Sequence, residues 1–220
     1  MAKKIRVSKL LLILGIWLVL SANLYSNVFA DFQTFQSDTN KVKSMFSDID
    51  DLMDVGNFTK AYQKLDSVDL LSEQFDYEYG LAFSGVKRAE ILIIKKQIDS
   101  ALTDINKVID QFPESRLRFN FYNTQAAAYN YKGLSNQAIE SFRKGLNFIE
   151  LLPPENRSRS IAAVHVNMAS AYHKLGDRSN TIKNYLEGLQ FAESTKDSSF
   201  LTITLNNLGD IYNSYSEYER

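Results

Sequence analysis

The chain has 220 residues, 45% apolar and 23% charged, with three prolines, nine glycines and no cysteine. This composition excludes a wholly disordered chain and a disulfide-stapled scaffold, and its scarcity of Pro and Gly favours long helices over hairpins. The net charge of −1 hides an asymmetry: residues 1–30 hold four bases and no acid, leaving 21 basic against 26 acidic residues, a net −5, beyond them, which gives no electrostatic ground for binding nucleic acid.

The first element in chain order is a targeting segment. A basic stretch, MAKKIRVSK, precedes an apolar run from Leu10 to Leu20, and Val28-Phe29-Ala30 supplies short residues at the positions a signal peptidase reads. Eleven apolar residues fall short of the ~20 a membrane span needs, and Asn23, Ser26 and Asn27 block any extension. Residues 1–30 are therefore read as a signal peptide and 31–41 as a loosely ordered polar leader. The expected location is outside the cytoplasm, in a periplasm or cell envelope. Any membrane contact is expected only through the signal segment or a span beyond this chain.

From residue 42 the pattern becomes helical, and the spacing predicts helices over 42–55, 58–73, 77–95, 98–111, 116–132, 135–152, 158–175, 178–194 and 198–215. Pro153-Pro154 is expected to end the sixth. These helices repeat in pairs. GNFTKAYQKL (56–65), GLSNQAIESF (133–142) and GDRSNTIKNY (176–185) superimpose without gaps, and KQIDSALTDI (96–105) fits with Lys96 in place of glycine. The small residues at the matching position are Ala61, Ala101, Ala138 and Thr181, separated by 40, 37 and 43 residues. Upstream of each turn a second small or apolar residue precedes a large one by three: Ile49 and Leu52, Ala89 and Leu92, Ala126 and Tyr129, Ala169 and Tyr172, Gly209 and Tyr212. Small residues at a crossing let two helix backbones approach closely, while large neighbours fill the groove between them.

This helix–turn–helix unit resembles the tetratricopeptide repeat. Leu208-Gly209 with Tyr212 matches the first half of that family's pattern, Gly56-Asn57-Phe58 with Ala61 matches the second, and Pro113 falls where the family places its closing proline. The likeness covers residues 42–220, at a period near 40 rather than the usual 34. It implies an all-α, right-handed superhelical solenoid of about four full repeats plus the first helix of a fifth. The small residue due 12 positions after Gly209 would be residue 221, so the chain is expected to continue, or to self-associate through an open last repeat.

No catalytic set can be assembled from the sequence. His165 and His173 lack acids or cysteines at ligand spacing, one being expected on a packed face and His173 on the concave side. The acidic run 47–56 fails the calcium-loop pattern, with Leu52 and Met53 where an oxygen ligand and glycine belong. Neither metal nor cofactor is expected, and no enzymatic activity.

The resemblance implies instead a groove lined by the first helix of each unit. Its ladder positions, two before the small residue, are Ser47, Lys87, Thr124, Asn167 and Asn207, with Asn123 and Asn206 beside them. Asn130, Tyr131, His173, Lys174, Asp210 and Asn213 stand a turn further on. Primary amides offer both donor and acceptor and can pair with the main chain of an extended peptide; equally, they can serve only to solvate an exposed helix face. With Lys87 alone basic among the five, a C-terminal carboxylate is disfavoured as ligand. Two functions fit a protein or peptide partner. One is an exported scaffold that forms the sensory N-terminal part of a larger signalling protein, such as a repeat-containing histidine kinase of a two-component system. The other is a stand-alone periplasmic interaction or assembly protein. A stop codon directly after Arg220 would favour the second.

The mature exported protein is expected to begin at Asp31, and N-terminal sequencing checks this: recovery of Met1 or Ala2 would make residues 1–30 an anchor instead.

Overall fold

A computed structural model describes residues 36 and 38–217, apart from 196 and 197. The signal peptide, residues 31–35 of the leader and Tyr218 lie outside the described residues. Nine α-helices follow one another, and no strand occurs among the described residues. Helix α1 covers 38–54; then come α2 Phe58–Gln74, α3 Glu78–Ile94, α4 Ile98–Gln111, α5 Arg118–Lys132, α6 Ser135–Leu146, α7 Pro154–Lys174, α8 Arg178–Glu193 and α9 Ser198–Glu217, with a 3₁₀ turn at Ile149–Leu151 before α7. From α2 onward each helix packs against the next in sequence. The result is an all-α repeat solenoid, with a core of four clusters among the described residues strung along the stack rather than one centre. No described helix is long and apolar enough to cross a membrane.

The repeat seen in the sequence is the repeat seen in packing. Ile49, Ala89, Ala126 and Ala169 on the first helices, and Ala61, Ala101, Ala138 and Thr181 on the second, all have no solvent exposure. Thr181 tolerates this because its hydroxyl donates to the Asp177 carbonyl at 2.7 Å, so burial leaves no polar atom unpaired. Between units the approach is equally close at α2 and α3, where a side chain on Gly80 would collide with the Ser72 hydroxyl.

The turns inside the units are copies of one another. Gly56, Lys96, Gly133 and Gly176 occupy equivalent places with φ of 74°, 60°, 81° and 74°. In each, the following residue donates its N–H five residues back: Asn57 to Leu52, Gln97 to Leu92, Leu134 to Tyr129 and Asp177 to Tyr172, at 2.8–3.0 Å. That bond and the left-handed residue define the Schellman ending, which satisfies the last carbonyls of the first helix. Asn57 and Asp177 then cap the second helix, their side chains accepting from the amides of Lys60 and Asn180.

Two boundaries differ from the sequence expectation. Helix α1 is under way by residue 38, inside the stretch read as leader, and Thr39 there is 4% exposed. Helix α6 stops at Leu146, and the two prolines open α7 rather than close α6: Pro153 is its cap and Pro154 its first residue, where a missing N–H leaves no helical bond unmade. The connection is held by Arg157, whose guanidinium donates to the carbonyls of Leu152 (2.9 Å) and Glu150 (2.7 Å) and pairs with the Glu150 carboxylate. Arg118 lies 4.6 Å over the Phe148 ring in the same connection.

Lys96 carries a side chain where its three equivalents are glycine, in a conformation that disfavours one. Lys96→Gly is expected to stabilise the fold by about 0.5–1 kcal/mol, the relief of left-handed strain less the added freedom of the unfolded chain. Gly133→Ala should lose about 1 kcal/mol although its Cβ would meet nothing within 4 Å. Urea denaturation midpoints of the two variants should move in opposite directions.

Candidate functional site

The first helices of successive units touch one another directly, α3 against α5 and α5 against α7, whereas the second helices do not pack on each other to a comparable extent. The first helices α3, α5 and α7 therefore share one face of the array, and the Phe46–Phe83 and Asp50–Lys87 contacts join α1 to it.

A groove of about 1010 Å³ crosses this surface over α1, α3 and the starts of α5 and α7. Its apolar part is built from Phe46, Tyr77, Tyr79, Phe83, Leu151 and Leu152. Phe46 stacks on Phe83 with ring centres 3.9 Å apart and planes at 21°. Burial pushes the Tyr77 phenol up to about 12, with neighbouring Tyr79 adding to the rise, so both rings face the groove as neutral surface at ordinary pH. Tyr79 is likewise raised by burial, and Arg116 beside it pulls the other way. Arg116, Lys43, Asn120 and the α7 start, with Pro154, Asn156 and Arg157, complete the rim.

One polar network fixes three units around this groove. Lys87 on α3 lies 2.9 Å from Asp50 on α1 and 2.9 Å from Glu90, and the Thr124 hydroxyl on α5 donates to Glu90 at 3.3 Å. Burial alone would lower the Lys87 pKa, but Glu90 and Asp50 outweigh it and the net shift is upward. The ammonium therefore stays charged, and its contribution to stability is present below the ordinary lysine range and lost only as pH rises through the raised folded value.

The other sequence-derived site residues divide in two. Some are occupied by the fold. Thr124 is 3% exposed. The Asn130 amide donates to the Asn167 carbonyl at 3.4 Å, while Lys174 donates to both the Asn130 carbonyl and its side-chain oxygen at 2.8 Å. His173 Nδ1 sits 3.2 Å from the Tyr215 hydroxyl on α9, and the half-buried Asn123 presents its backbone toward Gly145 on α6. The rest remain available: Asn206 and Asp210 are exposed, Asn167 and Asn207 half-buried with no side-chain bond among the described residues, and Tyr131 is 71% exposed at the end of α5. His165 faces α8, its Nδ1 3.1 Å from both Asn184 and Glu187. Glu187 is thus an acid beside it that sequence spacing did not bring forward. No three His, Cys, Asp or Glu side chains converge on a metal-sized site among the described residues.

The aromatic side chains of this groove lie outside the ladder positions that the repeat pattern singles out. A usable signal was present. Counting from the small residue of each first helix, groove side chains recur six before it (Lys43, Phe83, Asn120), three before it (Phe46, Val86) and one after it (Asp50). These share one helical stripe with the ladder position two before.

Compared with known proteins, the chain matches no protein-family model and no curated protein.

Lys87→Met should cost about 1–3 kcal/mol, since it leaves the carboxylates of Asp50 and Glu90 facing each other without a cation. Adding Glu90→Gln should recover part of the loss. Urea unfolding of single and double variants measures both, and a double variant no more stable than the single one contradicts the network.

Proposed function

We propose that the chain is an exported scaffold of the tetratricopeptide kind, and that its concave surface captures a segment of another protein. The observation that carries this reading is the groove across the first helices, with its apolar floor and polar rim. Further support comes from the repeated small-residue crossings, and from the amides of Asn167 and Asn207 at equivalent places on α7 and α9, half-buried and without side-chain partners among the described residues. Two amides in register across neighbouring units can bond the main chain of an extended segment whatever its side chains. The role is binding rather than catalysis, with neither metal nor cofactor. Within this reading the array serves as the sensory part of a larger signalling protein, which rests on likeness of architecture alone; a stand-alone assembly protein of the cell envelope is the alternative.

Asn167→Ala and Asn207→Ala should each weaken binding of a captured partner segment by about 1–3 kcal/mol, roughly 5- to 150-fold. Titration calorimetry with the folded variants tests this. Full affinity in both would remove the amide row from the mechanism and leave the aromatic groove as the site.

A further inference from the structure

The groove differs in charge from the molecule that carries it. Four bases line it, Lys43, Lys87, Arg116 and Arg157, against two acids, Asp50 and Glu150. Lys87 is neutralised by Asp50 and Glu90, and Arg157 by Glu150. Lys43 and Arg116 are exposed and paired with no carboxylate among the described residues. Lys43 instead lies 6.0 Å over the Tyr77 ring, and Arg116 acts on the neighbouring Tyr79 phenol. Both unpaired cations therefore sit beside the aromatic floor, in a chain whose charge beyond residue 30 is −5.

We propose that this groove binds an extended, acidic peptide segment whose carboxylates meet Lys43 and Arg116 while an apolar side chain enters between Phe46, Tyr77 and Tyr79. The inference rests on the groove being a peptide site and adds the chemistry of its ligand. Charge complementarity argues for acid: a basic segment would meet two uncompensated cations in the groove, whereas an acidic one is attracted there although the chain's net charge beyond residue 30 is negative. The aromatic floor argues that charge alone is insufficient, because the half-buried rings gain from covering by an apolar side chain, which a carboxylate does not supply. Geometry argues for an extended chain. Crossing from α1 to α7 spans three helix spacings of about 8–10 Å each, which an extended segment covers in about eight residues at ~3.3 Å per residue.

Panning a displayed library of random octapeptides on the purified exported protein tests the proposal without presupposing the partner. The expected result is enrichment of peptides with net negative charge and at least one aromatic or large aliphatic residue. Their affinity should fall tenfold or more in Arg116→Glu and in Lys43→Glu, fall with added salt, and be largely kept in Arg116→Lys. Both positions are exposed, and circular dichroism of each variant confirms its fold. Enriched peptides that are neutral or basic and indifferent to these variants, but weakened by Asn167→Ala, would overturn the acidic ligand and leave the peptide site standing. Acidic peptides indifferent to both charge reversals would bind elsewhere and overturn it too. No enrichment over the bare support would overturn the inference and the peptide site together.

Discussion

The structure depends on the close crossing of two helices at a pair of buried residues, most of them small. In each of the four complete units one residue on the first helix and one on the second are wholly buried, and at six of these eight places the residue is alanine. A side chain with one or two more carbons there would separate the helices or force neighbours off their rotamers, at a cost of about 1–3 kcal/mol. Once the pair is closed, its large residues can bury only one side of it, and the exposed remainder requires the next pair. The four-cluster core follows from that requirement, since each cluster draws on helices from adjoining units.

The face shared by the first helices is held by more than apolar packing. Where the first helices crowd together, side chains carrying charge and hydrogen-bonding groups bridge them: Asp50, Lys87, Glu90 and Thr124 across the first three units, then Asn130 and Lys174 across the third and fourth. Removing one partner from a buried contact of this kind costs more than the intact contact contributes, because it strands the other. Apolar side chains add to this bridging, since Phe46 on α1 stacks on Phe83 of α3, while Phe46 and Tyr79 stay only half-buried at the groove.

Most of the helical layout could be read from the sequence because local signals and packing agree. Helix α4 runs over 98–111 as expected, since the tight turn at Lys96 precedes it and Phe112-Pro113 follows. The start of α7 could not be read the same way. Proline both stops a preceding helix and opens a following one, and here the Arg157 side chain holds residues 150–152 in the connection ahead of α7. The concave residues show the same limit. Helical period places Thr124 and Asn130 on the inner face, but their partners Glu90 and Lys174 are 34 and 44 positions away, and nothing local reveals that these groups are already bonded. The Phe46–Phe83 stack lies between units, and the repeat pattern alone does not separate aromatics that are covered from those that line a groove.

A stack in which each unit is tied mainly to its neighbours is a compliant body. Small rotations at each interface leave every local contact nearly intact, yet they add along the array. The groove draws its walls from α1, α3, α5 and α7, one helix from each of four units, so its width is set by three interfaces in series and by no single bond. It has the mechanics of a coil spring rather than of a rigid cleft, and a load applied at one turn is shared among the others.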